Sequence, residues 1–147
     1  MTAPTTRTDP ELARLAASFE RLFELLRRLT PEPMSLTSAS TLRRLDRAGD
    51  HRLSELATAE GVTQPAMTQL VSRLERDGLV VRAGHPSDGR VVMVRITDAG
   101  RELVHRRREV RDLRLAALLA ELSPADRAAV VAVAPVLDHL TELAKGA

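Results

Sequence analysis

Side chains able to recognise a polar ligand are concentrated between positions 63 and 90. Gln64, Thr68, Gln69, Ser72, Arg73 and Arg76 are interleaved with Met67, Leu70, Val71 and Leu74, which fall at i, i+3, i+4 and i+7. That period predicts a helix with its apolar side buried and its glutamines, hydroxyls and arginines on or toward the rest of the surface. Glutamine can pair with N6 and N7 of adenine, and arginine with O6 and N7 of guanine. Pro65 and Ala66 fit against a thymine methyl, while Arg73 and Arg76, further along, suit phosphate. A merely solvated polar face is the other reading of such a helix. The hairpin signal that follows weighs against it: strand-like runs at 79–82 and 91–96 flank the polar tip 84–89, with Ser87, Asp88, Gly89 and Arg90 at its end. An arginine beside a glycine at such a tip can enter a narrow minor groove and meet its negative potential. Asp88 lies on the same side and can brace the guanidinium; an exposed ion pair of little worth is the alternative.

The elements that must carry these groups are legible on either side. Ser54 is suited to cap a short helix over 55–60, Gly61 supplies the positive φ of a turn between crossed helices, and Thr63 caps the polar helix with Pro65 in its first turn. Upstream, Thr37 or Ser38 caps a helix ending near Ala48, with Leu42 and Leu45 inward, and Arg52 and Leu53 form a minimal strand. Downstream, Thr97 opens a long helix to about Leu122; Ser123-Pro124-Ala125-Asp126 opens the last, which Pro135 should kink. The first eight residues, rich in Thr and Pro, read as frayed. From Pro10 to Leu29, Leu12, Leu15, Phe19, Leu22, Leu26 and Leu29 alternate three and four apart. This is an apolar seam of heptad spacing, widened by Phe23, that serves either intrachain packing or a second chain. Val133, Leu137, Leu140 and Leu143 form the apolar side of the last helix.

Composition bounds the rest. At 147 residues the chain has the length of one domain with a core of its own. Without cysteine there is no disulfide framework, thiolate metal site or thiol switch. No run approaches the roughly 18 apolar residues of a membrane span, and no signal-like segment opens the chain, so the expected location is cytoplasmic. Arginine almost wholly replaces lysine, a bias that points to a GC-rich, bacterial genome. The net charge is only +2, but it is unevenly placed. Residues 63–95 carry Arg73, Arg76, Arg82, Arg90 and Arg95 against Glu75, Asp77 and Asp88, whereas residues 115–147 carry a surplus of acids. A local basic face of this kind suits a reader of DNA. No Ser-His-Asp pattern, phosphate loop or His-Glu-x-x-His is present, which argues against an enzyme. The four histidines form no close pair at metal-ligand spacing. No cofactor is expected.

The segments Leu53-Ser54-Glu55-Leu56-Ala57, Gly61-Val62-Thr63-Gln64-Pro65-Ala66, the run Leu70 to Val80, His85-Pro86-Ser87-Asp88-Gly89-Arg90 and Ile96-Thr97-Asp98-Ala99-Gly100 together resemble the MarR family (multiple antibiotic resistance regulators). The resemblance implies a mainly α fold with a small β-hairpin wing: a winged helix-turn-helix whose N- and C-terminal helices form a dimerisation lobe. It implies one MarR-like domain over 1–147, with a DNA-binding lobe at 35–97 and dimerisation helices at 10–30 and 98–147. The implied partners are double-stranded operator DNA of pseudo-palindromic sequence and a second copy of the chain. By that resemblance Gln64, Ala66, Thr68, Gln69 and Arg73 face the major groove, Asp88 and Arg90 are the wing motif, and Ser54 touches phosphate. Leu12, Leu15, Phe19, Leu22, Leu26, Leu137 and Leu140 are the expected dimer contacts. Two departures stand out: Gly89 occupies a wing position where many relatives carry a second Arg, and Gln69 stands where Arg is common, which leans that contact toward adenine.

The resemblance also implies control by a small amphipathic effector bound between the two lobes, with a regulator that takes no ligand as the alternative. By position its liners are Phe19, Phe23, Met34, Arg43 or Arg44, and His51, with core packing the other role for the Phe and Met residues. The absence of Tyr and Trp argues against an aromatic cage. A repressor fits this pattern better than an activator. The alternative is a winged helix for protein contacts without sequence-specific DNA binding; it calls for an apolar outer face on the 63–77 helix, where Gln, Thr, Ser and Arg stand instead.

Overall fold

Capping serines and threonines set where the helices begin. The computed structural model describes residues 9–31, 33–85 and 87–145, with the backbone alone described for His85, Gly89, Arg90 and Lys145. The expectation for residues 1–8 lies outside the described residues. The elements run α1 (Pro10–Leu29), α2 (Leu36–Ala48), β1 (His51–Arg52), α3 (Leu53–Ala59), α4 (Gln64–Arg76), β2 (Val80–His85), β3 (Asp88–Ile96), α5 (Asp98–Ala120) and α6 (Pro124–Lys145). Ser35, Thr63 and Ser123 accept from the backbone N–H three residues on, at 3.1, 3.3 and 3.1 Å. Each satisfies one of the donors a helix start leaves open.

Two caps differ from expectation. The cap of α2 is Ser35, not Thr37 or Ser38, because Ser38 is buried in the packing and its backbone N–H is the one Ser35 receives. Ser54 does not cap α3. Strand β1 runs directly into that helix, so the cap position falls on Arg52, and the Glu55 carboxylate takes the Arg52 N–H at 2.8 Å. This is the acidic half of a capping box working from inside the helix.

The chain forms two compact units. One comprises residues 30–109; the other, the described residues up to Leu29 and from Val110 onward. The long helix α5 begins in the first and ends in the second.

In the 30–109 unit the antiparallel sheet has the order β1-β3-β2. Its core joins Leu42 and Leu45 of α2, Leu56 and Ala57 of α3, Met67, Leu70, Val71 and Leu74 of α4, Val80, Val94 and Ile96 of the sheet, and Leu103 of α5. The four apolar positions read from the period of α4 are its four buried residues. Gly61 (φ 64°) makes the turn between α3 and α4, a backbone region that L side chains seldom adopt. After α4, Gly78 (φ 74°) closes a Schellman turn: its N–H donates to Glu75 O and that of Leu79 to Leu74 O.

The hairpin is longer and tighter than the composition indicated. The run 84–89 was expected to be loop, but Gly84 pairs with Val92 and His85 with Asp88, with an irregularity between Gly84 and His85. The ladder thus continues into polar, glycine-containing sequence because cross-strand hydrogen bonding is indifferent to side-chain polarity. Strand β1 likewise sits one residue earlier than expected, His51 opposite Val94 and Arg52 opposite Met93.

The second unit has a different character. Helix α1 contains no buried residue, and Leu12, Leu15, Phe19, Leu22 and Phe23 are all exposed. On α5 and α6, Leu113, Leu118, Val131, Val136 and Leu140 are exposed too. Helix α6 continues through Pro135, whose missing N–H leaves Val131 O without its helical donor.

Candidate nucleic-acid interface

Helix α4 carries its polar face outward because its opposite face is consumed by the core. Gln64, Pro65, Ala66, Thr68, Gln69, Arg73 and Arg76 are all exposed. Gln69, Arg73 and Arg76, spaced i, i+4 and i+7, share one stripe. Among the described residues, the side chains of Gln64, Gln69, Arg73 and Arg76 have no hydrogen-bond or ion-pair partner. These groups are therefore available to an external ligand without first breaking a contact. The hydroxyls are more constrained: Thr68 donates to Gln64 O at 2.9 Å and Ser72 to Thr68 O at 2.9 Å. Ser72 is half-buried and also accepts from Arg82. Its expected role on DNA thus competes with a role in holding the wing.

Ser54 lies in the first turn of α3, exposed, with its carbonyl accepting from the Thr58 hydroxyl at 3.0 Å. Ser87 and Asp88 are exposed at the hairpin end. The brace of Asp88 on the Arg90 guanidinium lies outside the described residues.

The positive charge of the 63–95 segment is divided more finely than its residue count implies. Arg82 is bound to Glu75, and Arg95 to Asp50 through Nε and Nη2 at 2.7–3.1 Å. The hydrogen bond to Asp50, and then its charge, hold Arg95 above the ordinary arginine range. Among the described residues, Arg73 and Arg76 are left as the unpaired guanidiniums of α4. The Arg82–Glu75 pair was not legible as a site feature; its only signal is opposite charges seven apart across a glycine turn. In the sequence, Gly100 stands out only as the end of the Ile96-Thr97-Asp98-Ala99-Gly100 motif. In the fold it is buried in the first turn of α5, where an added Cβ would lie 2.2 Å from Leu79 O and 2.7 Å from Ile96 Cγ1.

The residues expected to line an effector site fall in both units. Phe19 and Phe23 are exposed on α1. Met34 packs half-buried on the core of the 30–109 unit. Arg44 is committed to Glu60 at 3.3 Å, beside Ser40, and His51 Nδ1 sits 2.8 Å from Gly49 O. An open apolar groove of about 610 Å³ at the α5–α6 corner, lined by Leu122, Pro124, Arg127 and Val131 among others, contains none of them. Of the expected dimer contacts, Leu12, Leu15, Phe19, Leu22 and Leu140 are exposed, while Leu26 and Leu137 are half-buried. Among the described residues no helix is long and apolar enough to cross a membrane, and no cluster of three His, Cys, Asp or Glu could hold a metal.

A short helix, a glycine turn, a second helix with an exposed polar face and a hairpin define a DNA-binding transcription regulator of the winged helix-turn-helix class. The MarR family model matches residues 34–92. An HTH-type transcriptional regulator of Mycobacterium tuberculosis is 38% identical over 122 residues, covering 82% of this chain and 85% of its own. The structure of a MarR family protein from Bacillus stearothermophilus superposes with a TM-score of 0.76 at 27% identity, covering 97% of this chain and 99% of the other. The HTH-type transcriptional repressor IacR of Pseudomonas putida is 39% identical over 66 residues, 45% of this chain and 40% of its own. The chain belongs to the MarR family and, like its relatives, is a transcription regulator rather than an enzyme.

Proposed function

We propose that this regulator is a repressor that binds a pseudo-palindromic operator as a homodimer. Residues 35–97 of each protomer form one DNA-binding lobe, and residues 10–30 and 98–147 form the shared dimer lobe. The observation that carries the DNA-facing assignment is the exposed stripe of α4, whose glutamines and arginines have no partner among the described residues. Gln64 and Gln69 read adenine edges, Arg73 and Arg76 engage phosphate or guanine, and Arg90 enters the minor groove beside Asp88. Homodimerisation is supported by α1, which has no buried residue yet presents a heptad seam. The repressor reading is supported by the likeness to the repressor IacR over 66 residues.

An amphipathic small molecule releases the DNA by changing the spacing of the two recognition helices, which must match half-sites about one helical turn apart. Phe19, Phe23, Met34, Arg44 and His51 remain the proposed liners.

Fluorescence anisotropy on the DNA upstream of the gene, against a scrambled duplex and across a salt series, tests the reading. Tight, selective, salt-sensitive binding at two protomers per site is expected; weak binding equal on both duplexes and indifferent to salt favours a protein-contact module instead. In the same assay Arg90→Ala weakens operator binding by about 1–3 kcal/mol and leaves the dimer intact. Arg76→Ala weakens all sequences alike and lowers the salt slope by about one. Unchanged affinity for the first, or an unchanged slope for the second, removes that residue from the interface.

A further inference from the structure

Arg82 is a wing arginine that does not face outward. It stands on β2 opposite Val94, on the sheet face that continues into the core through Val80 and Val94. From there its guanidinium reaches along α4. Nη1 donates to Glu75 Oε2, and Nη2 to Ser72 Oγ at 2.9 Å and to Thr68 O at 3.3 Å, while its backbone N–H donates to Glu75 Oε1 at 3.2 Å. One carboxylate therefore holds both the main chain and the side chain of Arg82, and one guanidinium spans two turns of the helix. Charge-assisted, multidentate contacts of this kind fix geometry as well as distance.

We propose that Arg82 and Glu75 are positioning residues for DNA binding: their bracket sets the wing at the angle to α4 that lets both reach one duplex. This rests on the reading that α4 and the wing each touch DNA. Beyond Arg82, β2 runs a further three residues to His85, a lever of roughly 10 Å at the rise of a strand. A small rotation at Arg82 becomes a displacement of an ångström or more at the tip. With the bracket intact, docking α4 presents the wing to its groove at high effective concentration; without it, the wing must be ordered at the moment of binding. The pair is partly solvent-exposed, 29% and 38% for the two side chains, so its worth to folding is small. Stability and DNA binding are thereby separable.

Glu75→Gln and Arg82→Ala in the full-length protein test this on the upstream duplex that the wild-type protein binds selectively. Glu75→Gln is decisive because the two readings differ in sign. Removing a negative charge beside a DNA-facing helix tightens binding by simple electrostatics; loosening the bracket weakens it, by about five- to tenfold. Arg82→Ala is expected to weaken binding by about tenfold with an unchanged salt slope, since Arg82 meets no phosphate. In an Arg90→Ala background, where the wing has lost its contact, Arg82→Ala costs no more than about twofold further. Melting temperatures stay close to wild type. Binding by Glu75→Gln as tight as wild type or tighter, a reduced salt slope for Arg82→Ala, or losses that multiply with Arg90→Ala would each overturn the proposal. A wild-type protein that fails to distinguish the upstream duplex from a scrambled one would overturn the function reading with it.

Discussion

Leu22→Glu is expected to yield a soluble monomer, or insoluble protein, that no longer binds operator tightly. Leu22 lies at the centre of the α1 seam and is 40% exposed in the single chain. In a two-fold interface the substitution occurs twice. Each site loses the burial of a leucine, about 1.5–3 kcal/mol, and gains a carboxylate whose desolvation without a partner costs several kcal/mol. The sum exceeds the free energy of most association equilibria at micromolar concentration, about 8 kcal/mol. Operator affinity falls with the dimer because two half-site contacts become independent. Light scattering and anisotropy on one preparation check both consequences. A well-folded dimer of wild-type DNA affinity would place the seam outside the interface. Leu26→Glu is expected to act in the same direction, though Leu26 is half-buried in the single chain.

The second large effect is Gly100→Ala. By helix propensity alone, alanine for glycine in a helix stabilises by about 1 kcal/mol. The structure reverses that sign. A Cβ at position 100 would lie 2.2 Å from the Leu79 carbonyl oxygen and 2.7 Å from Ile96 Cγ1, and the nearer obstacle is backbone. That carbonyl is itself tied down, accepting from Thr97 N at 3.0 Å. The Thr97 hydroxyl meanwhile donates to Gly78 O at 2.7 Å and accepts from Gly100 N at 3.1 Å. The end of α4, the start of β2 and the start of α5 thus meet in one knot with no slack. Overpacking of this kind costs about 1–3 kcal/mol, occasionally more. At about 2–4 °C per kcal/mol for a chain of this size, Tm should fall by several degrees. A thermal melt showing an equal or higher Tm would mean that the knot relaxes at no cost.

The Gly100 outcome bears on function through the geometry of the DNA-binding unit. The α4 stripe, the wing and the first turn of α5 share one hydrogen-bonded junction around Gly78, Leu79 and Thr97. Loosening it is expected to blur the placement of the wing before it unfolds the unit. Variants at position 100 should therefore lose operator selectivity at temperatures below their melting transition.

Features with a local period or a local cap are written in the chain alone. Met67, Leu70, Val71 and Leu74 repeat at helical spacing, so burying them places Gln69, Arg73 and Arg76 outward without reference to any other element. Thr63 and Ser123 cap their helices through residues three positions away, well inside the reach of sequence reading. The wing is legible from its alternation, but the extent of its polar end is not, because ladder hydrogen bonds are made by backbone and leave little compositional trace.

Which charges remain free depends on the folded arrangement. Arg82, Arg95, Arg73 and Arg76 are equivalent in a residue count, yet Glu75 occupies the first and Asp50, forty-five positions away, the second. Such pairings depend on which surfaces the fold brings together, and a guanidinium that has found its carboxylate no longer contributes as a free charge to a phosphate backbone. Gly100 follows the same logic, since nothing within its own helix requires a glycine, whereas the carbonyl of Leu79, twenty-one residues earlier, and the Ile96 side chain do. Local spacing sets which face a side chain occupies, whereas close approach between distant elements sets what that side chain is able to do.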